Sequence, residues 1–199
     1  MTKIKGFTMG TGYSVIWPSQ GNVQPEIVQQ KIEVELAKIN QQMSTYDKTS
    51  ELSLFNQAPA PYSQEISPEF SQVLNLSLQI HLLTRGYFDI SVGPLVNLWG
   101  FGPDKITRLV PGQDQIKLAQ SKIGLKAIEL DGLNLKKNAD RYLDLSAIAK
   151  GFAVDEVARV IETLGVDAYL VEIGGEIRVK GEKAQGVAWK VAVEAPDIS

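Results

Sequence analysis

Two short alternating runs, each doubling back at a glycine-bearing dipeptide, constrain this chain most. One is Ile128-Glu129-Leu130, Asp131-Gly132, Leu133-Asn134-Leu135. The other is Tyr169-Leu170-Val171-Glu172-Ile173, Gly174-Gly175, Glu176-Ile177-Arg178-Val179-Lys180. Apolar residues at every second position give the side-chain period of a half-buried strand. Asp-Gly between such runs predicts a type I′ hairpin turn. Strands joined this way pair antiparallel. Two further runs read as strands: Lys5 to Trp17, and Trp189 to Glu194. The first carries Met9-Gly10-Thr11-Gly12-Tyr13, and glycines inside a strand mark either a bulge or a close approach to a ligand.

Between these runs lie helices. Pro25 opens one in which Val28, Ile32, Leu36, Ile39 and Met43 recur at helical spacing. A polar turn, Ser44-Thr45-Tyr46-Asp47-Lys48-Thr49, follows, and Ser50 is placed to cap a short helix through Phe55. Ser67-Pro68-Glu69 combines an N-cap, a first-turn proline and an acidic residue, predicting a helix to about Arg85 with Gly86 as its stop. Asp114 to Ile123 reads as another, ended by Gly124. Helices alternating with hairpins define an α+β fold with a largely antiparallel sheet and packed helices. With 199 residues, 44% of them hydrophobic, one core and a single domain over residues 1–199 are expected.

Two stretches fit neither pattern simply. Leu143-Asp144-Leu145-Ser146-Ala147-Ile148-Ala149-Lys150-Gly151 reads as a strand end entering a helix. Leu143 and Leu145 alternate with Asp144, Ser146 can cap, and Ala149, Ala153, Val157, Val160, Ile161 and Leu164 share a helical face. The helix start suits an anion, Lys150 adds a full positive charge there, and Asp144 supplies a carboxylate just before it. An ordinary capped helix with a surface lysine has the same signature. Tyr87 to Pro103 mixes aromatics, glycines and prolines without period. It is too apolar for a solvated loop, so it is either packed down or the wall of a ligand site.

Composition removes several classes. A net charge of −3 and scattered basic residues indicate no nucleic acid partner. The absence of cysteine excludes disulfides, thiolate metal sites and cysteine nucleophiles. The single histidine, His81, sits in an apolar helical run and reads as packed and structural. No run approaches the roughly 20 apolar residues that span a bilayer, and no signal peptide is visible.

In order, these stretches resemble the ApbE family of FAD:protein FMN transferases. The resemblance rests on five separated motifs: Met9-Gly10-Thr11; Met43-Ser44-Thr45-Tyr46-Asp47 with Ser50-Glu51-Leu52 and Phe55-Asn56; Phe88-Asp89 through Gly102; Leu143 to Gly151; and Val171 to Glu176. It implies an ApbE-like, T-fold-like domain. It further implies an enzyme that takes FAD, joins the FMN half by a phosphoester to a threonine of a partner protein, releases AMP and requires Mg²⁺. Relatives that split FAD into FMN and AMP, and a flavin-binding protein without catalysis, are the alternative readings.

By the same resemblance, Met9 and Tyr46 lie against FAD. Tyr87, Phe88 and Asp89 form another wall, and Asp144 and Lys150 complete the flavin-nucleotide contacts. Ala147 matches the residue whose backbone carbonyl binds the metal. Glu172, Gly174 and Gly175 shape the site. Such roles suit a polarisable ring, a pyrophosphate and a hard cation respectively. The expected partners are FAD and an acceptor flavoprotein such as a subunit of a sodium-pumping quinone reductase. The expected location is the periplasmic side of the bacterial inner membrane, with membrane contact only through a removed lipid anchor and this chain itself soluble. The family's His-containing Asp-Pro-x-Thr-Gly motif and remaining metal ligands do not occur here. The chain therefore reads as truncated at its C-terminus and inactive alone, with the catalytic base beyond Ser199.

Overall fold

The computed structural model describes residues 1–19, 23–103 and 110–192. In chain order its strands are β1 (Thr2–Thr8), β2 (Thr11–Trp17), β3 (Tyr62–Glu65), β4 (Ile128–Asp131), β5 (Asn134–Lys137), β6 (Tyr169–Ile173) and β7 (Glu176–Lys180). The helices are α1 (Pro25–Met43), α2 (Glu51–Gln57), α3 (Pro68–Leu83), α4 (Gly93–Leu98), α5 (Gln113–Ser121) and α6 (Ala149–Thr163). The chain divides into two compact units, one of Met1–Leu36 with the chain from Ala153 onward, the other of Ala37–Phe152. Helices α1 and α6 contribute residues to both.

The first unit holds an antiparallel sheet in the order β1-β2-β6-β7. The single strand expected over Lys5–Trp17 is instead a hairpin. Thr8 pairs with Thr11, leaving Met9 and Gly10 as a two-residue loop with φ of 50° and 72°. Two consecutive positive φ values are the type I′ signature. Methionine rarely adopts that region, which hid the turn from its composition. The β6–β7 hairpin turns at Gly174-Gly175 as expected, with φ of 55° and 93°. Ile4, Tyr13, Val15, Trp17, Tyr169, Val171 and Ile173 are buried from the sheet. Each such side chain contributes on the order of 1.5–3 kcal/mol.

The strand expected over Trp189–Glu194 is absent at residues 189–192, and its end lies outside the described residues. The Trp189 indole donates instead to the Lys180 carbonyl at 3.2 Å, and the Lys183 ammonium lies 5.4 Å from its ring centre.

The second unit holds a smaller antiparallel sheet, β3-β5-β4. Here Asp131 pairs with Asn134, so the loop is Gly132-Leu133 rather than Asp131-Gly132. Only Gly132 of the two has positive φ, 59°, which excludes type I′ and fits the type II′ pattern. Tertiary bonds fix that position. The Gly132 carbonyl accepts from Ser71 Oγ at 2.8 Å and the Leu133 carbonyl from Ile66 N at 2.8 Å. Leu135 then faces inward and is fully buried. Helix α1 buries the predicted face, Val28, Ile32, Leu36, Ile39 and Met43. Ser67 takes the N-cap place of α3 without a side-chain cap bond, and its N–H donates to Glu51 Oε2 at 2.8 Å.

The aperiodic stretch Tyr87–Pro103 contains a 3₁₀ turn, Ile90–Val92, and the six-residue α4. Fewer than two helical turns are too short to show a period. Asp89 caps the first of these, accepting from Ser91 N at 2.8 Å.

Candidate functional site

In the second unit the seven residues of α2 organise three of the motif stretches. At its N-terminus Ser50 caps as expected, accepting from Ser53 N at 3.0 Å. The Ser50 and Ser53 hydroxyls both donate to the Ser44 carbonyl, at 2.5 and 2.9 Å. Ser44 Oγ in turn accepts from the N–H groups of Tyr46 and Asp47, each at 3.1 Å. Asp47 accepts from the hydroxyl and N–H of Thr49, which hold its carboxyl below the ordinary carboxylate range. This turn presents Tyr46, a residue 66% exposed, while its hydroxyl donates to the Phe101 carbonyl at 2.9 Å. A tethered, exposed aromatic ring is what stacking on a flat ligand requires.

At the other end of α2, Asn56 reaches the central stretch. Its Nδ2 donates to the Leu143 carbonyl and its Oδ1 accepts from Leu143 N, both at 2.8 Å. Asp144 N donates to the Ile90 carbonyl at 2.7 Å. The segment around Leu143 belongs to no sheet, contrary to the strand expected there. Asp144 is buried, 6% exposed, between the buried Leu143 and Leu145. Its Oδ1 accepts from Ser146 N at 2.7 Å. The carboxylate of Asp144, rather than the Ser146 hydroxyl, thus holds the turn before α6. Helix α6 begins at Ala149, with Ala147 exposed just ahead of it and Lys150 half-buried in its first turn.

The bond from Asp144 to Ile90 sets the Asp89 loop beside this segment. Asp89 Oδ1 accepts from Ser91 N at 2.8 Å and from Ser91 Oγ at 2.5 Å. Ser91 Oγ also accepts from Gly124 N at 2.7 Å, and the Gly124 carbonyl accepts from Arg141 Nε at 2.9 Å. Phe88 is half-buried, whereas Tyr87 is 96% exposed. His81, expected to be packed and structural, is less buried than that reading implies but makes a structural contact. It is half-buried in the last turn of α3, its Nδ1 2.8 Å from the Phe88 carbonyl and 3.8 Å from Asp89 Oδ2.

Tyr46, Phe88, Asp89, Asp144, Ala147 and Lys150 therefore all lie in the second unit, tied through α2 and Ile90. Met9 lies in the first unit. There it shares one end of the sheet with the Gly174-Gly175 turn, since Tyr13 pairs with Ile173 and Gly174 N donates to the Gly12 carbonyl at 3.2 Å. Glu172 ties that end together, accepting from Gly175 N at 2.8 Å and from Ser14 Oγ at 3.4 Å.

Asn56, Ser91 and Lys137 have structural roles at this site that their sequence contexts do not signal. Lys137 is buried, its Nζ donating to the Phe55 carbonyl at 2.6 Å, and burial lowers its pKa, with Asp140 opposing. Among the described residues no group of three or more His, Asp or Glu side chains could hold a metal ion. Three positions before Ala147, Asp144 has one carboxylate oxygen engaged by Ser146 N. These residues alone do not fit a Mg²⁺ site, which needs about six oxygens.

The second unit thus carries a buried carboxylate, Asp144, a first-turn lysine, Lys150, and a tethered, exposed aromatic residue, Tyr46, within an α+β chain. The chain belongs to the ApbE family, whose model matches residues 9–199. It is 40% identical over 197 residues to an FAD:protein FMN transferase of Vibrio cholerae, covering 98% of this chain and 59% of that protein. It is 42% identical to one of Haemophilus influenzae, covering 97% of this chain and 58% of that protein. The chain thus spans about three-fifths of the length of these curated relatives. Among solved structures, flavin transferase ApbE from Vibrio cholerae matches with a TM-score of 0.93, covering 98% of this chain and 64% of that one. The apo flavinyl transferase ApbE of Pseudomonas stutzeri matches at 34% identity with a TM-score of 0.90, covering 96% of this chain and 64% of that one. Among the described residues no helix is long and apolar enough to cross a membrane.

Proposed function

We propose that the complete protein is an FAD:protein FMN transferase. A threonine hydroxyl of an acceptor protein attacks the phosphorus on the FMN side of the FAD pyrophosphate. The bond to the bridging oxygen breaks, AMP leaves with that oxygen, and FMN remains on the threonine as a phosphoester. The threonine proton passes to a base outside the residues assigned here. In-line phosphoryl transfer needs mainly positioning and charge neutralisation.

The observation that carries this reading is the joining of the Tyr46 turn, the Asp89 loop and the Asp144–Lys150 segment in one unit. Tyr46, Tyr87 and Phe88 offer surfaces for the isoalloxazine or adenine ring. Lys150, in the first turn of α6, offers positive charge to the pyrophosphate. Asp89 and Asp144 offer acceptors to polar hydrogens of FAD, and a role for Met9 rests on the family resemblance alone. Mg²⁺, with the Ala147 carbonyl among its ligands, enters the proposal through the family resemblance alone, and no step is routed through it. The acceptor class, a subunit of a sodium-pumping quinone reductase or related complex, and a lipid-anchored periplasmic location are proposed on the same basis.

The test is incubation of the complete protein with FAD, Mg²⁺ and an acceptor carrying the target threonine. Release of AMP together with an acceptor heavier by one FMN is expected. Free FMN and AMP with an unmodified acceptor would replace this reading with FAD hydrolysis. FAD binding without AMP release would leave a flavin-binding protein.

A further inference from the structure

The segment before α6 has no sheet partner, yet its backbone groups cannot turn to water. Leu143 is fully buried, and a buried N–H or C=O must find a protein partner. Asn56 supplies both partners with one side chain, 2.8 Å to the carbonyl and 2.8 Å from the N–H. A primary amide carries a donor and an acceptor side by side, as a peptide group does. Aspartate carries acceptors only, and glutamine places the same pair one methylene further out.

We infer that Asn56 is a positioning residue for Asp144, acting as a single-residue substitute for a neighbouring strand. The next N–H along, that of Asp144, is held by the Ile90 carbonyl at 2.7 Å. The peptide entering Asp144 is thereby fixed from α2 and from the Asp89 loop. Rotation of that peptide would redirect the Asp144 carboxylate and the turn it holds through Ser146 N, and with them the approach to Lys150. Asn56 is itself anchored. Buried Lys137 donates to the carbonyls of Phe55 and Asn56 at 2.6 and 3.4 Å, occupying groups that the end of α2 leaves open. The functional consequence of the clamp rests on the proposed FAD site.

The experiment measures FAD affinity of the complete protein by fluorescence titration with Mg²⁺ withheld, together with amide exchange at Leu143 and Asp144. Asn56→Asp is compared with the unsubstituted protein and with Ser71→Ala. Ser71 is buried in the same unit and bonds the Gly132 carbonyl at 2.8 Å, away from the clamp. Asn56→Asp should weaken FAD binding on the order of tenfold and speed exchange at both amides. Ser71→Ala should lower stability while leaving affinity within about twofold. Equal affinity of Asn56→Asp and the unsubstituted protein overturns the inference, as does an equal loss in Ser71→Ala. Should Asn56→Asp not fold, Asn56→Gln carries the same comparison. If the unsubstituted protein fails to bind FAD, the transferase reading falls by itself, and unchanged exchange at Asp144 in the Asn56 variant is then what overturns the clamp.

Discussion

Replacing Ser91 by alanine tests whether the Asp89 loop is held from behind by one hydroxyl. Ser91 is fully buried. Its Oγ donates to Asp89 Oδ1 at 2.5 Å and accepts from Gly124 N at 2.7 Å. Alanine removes both bonds. A hydrogen bond to a carboxylate contributes about 1.5–3 kcal/mol. The lower end applies, because Asp89 Oδ1 retains the Ser91 N–H at 2.8 Å. The orphaned Gly124 N–H adds about 1 kcal/mol, again the lower end, since its loop is only partly buried. The sum is about 2–3 kcal/mol. At about 2–4 °C per kcal/mol for a chain of this size, Tm should fall by about 5–10 °C. Thermal unfolding followed by far-UV circular dichroism reads this directly. The comparator is Ser121→Ala, which removes a bond from an exposed Ser121 Oγ to the Leu118 carbonyl and should shift stability by less than about 0.5 kcal/mol. A Tm loss in Ser91→Ala no larger than in Ser121→Ala would refute the reasoning.

Three further outcomes are expected. Gly93→Ala would place a Cβ 2.3 Å from Tyr142 Cδ1 and 2.9 Å from its carbonyl oxygen, so it should destabilise by about 1–3 kcal/mol; an unchanged urea midpoint would contradict this. The Lys38 hydrogen bond lowers the Glu69 pKa, so the unfolded chain takes up that proton first as pH falls. Its stabilisation is present above the ordinary value of 4.5 and is lost as pH falls through the lowered one. Glu69→Gln should flatten the acid side of the Tm-versus-pH curve, and an identical slope would count against the pair. Burial, and then the bond to Glu162, raise the Tyr169 hydroxyl to about 12 from 10.0. The unfolded chain therefore loses that proton first, and stability should decline between those values; Tyr169→Phe should remove that part of the decline.

The strongly periodic elements were legible in the sequence: α1 and β6 each bury one face, and β7, whose Ile177 and Val179 stay exposed, follows β6 through the glycine turn. Helix α1 and the hairpin at Gly174-Gly175 follow the pattern residue for residue. The errors have two causes: an uncommon backbone conformation at Met9, and tertiary bonds that override local signals elsewhere. Met9 accepts a left-handed conformation that its side chain does not advertise. The turn at Gly132-Leu133 is shifted by bonds from Ser71 and Ile66, more than 60 residues away along the chain. Leu143 and Leu145 alternate as a strand would, yet the partner is a side chain, and no periodicity can reveal that. The motif residues were legible as motifs. What remained hidden was the scaffolding role of Asn56 and Ser91 within those motifs and of Lys137 outside them, since their chemistry depends on what they face.

The shortness of α2 also makes it a gauge of length. Asn56, which holds Leu143, lies six positions after Ser50, which holds the Tyr46 turn. Each residue added to or removed from a helix turns everything beyond it by about 100° and moves it ~1.5 Å along the axis. A single insertion between Ser50 and Asn56 would swing the amide off Leu143 while leaving the cap intact. Substitution on the outward side of α2, at the half-exposed Leu54, should be tolerated far more readily than any change in its length. Libraries built on this chain can vary the identity of such positions freely but should keep the spacing fixed.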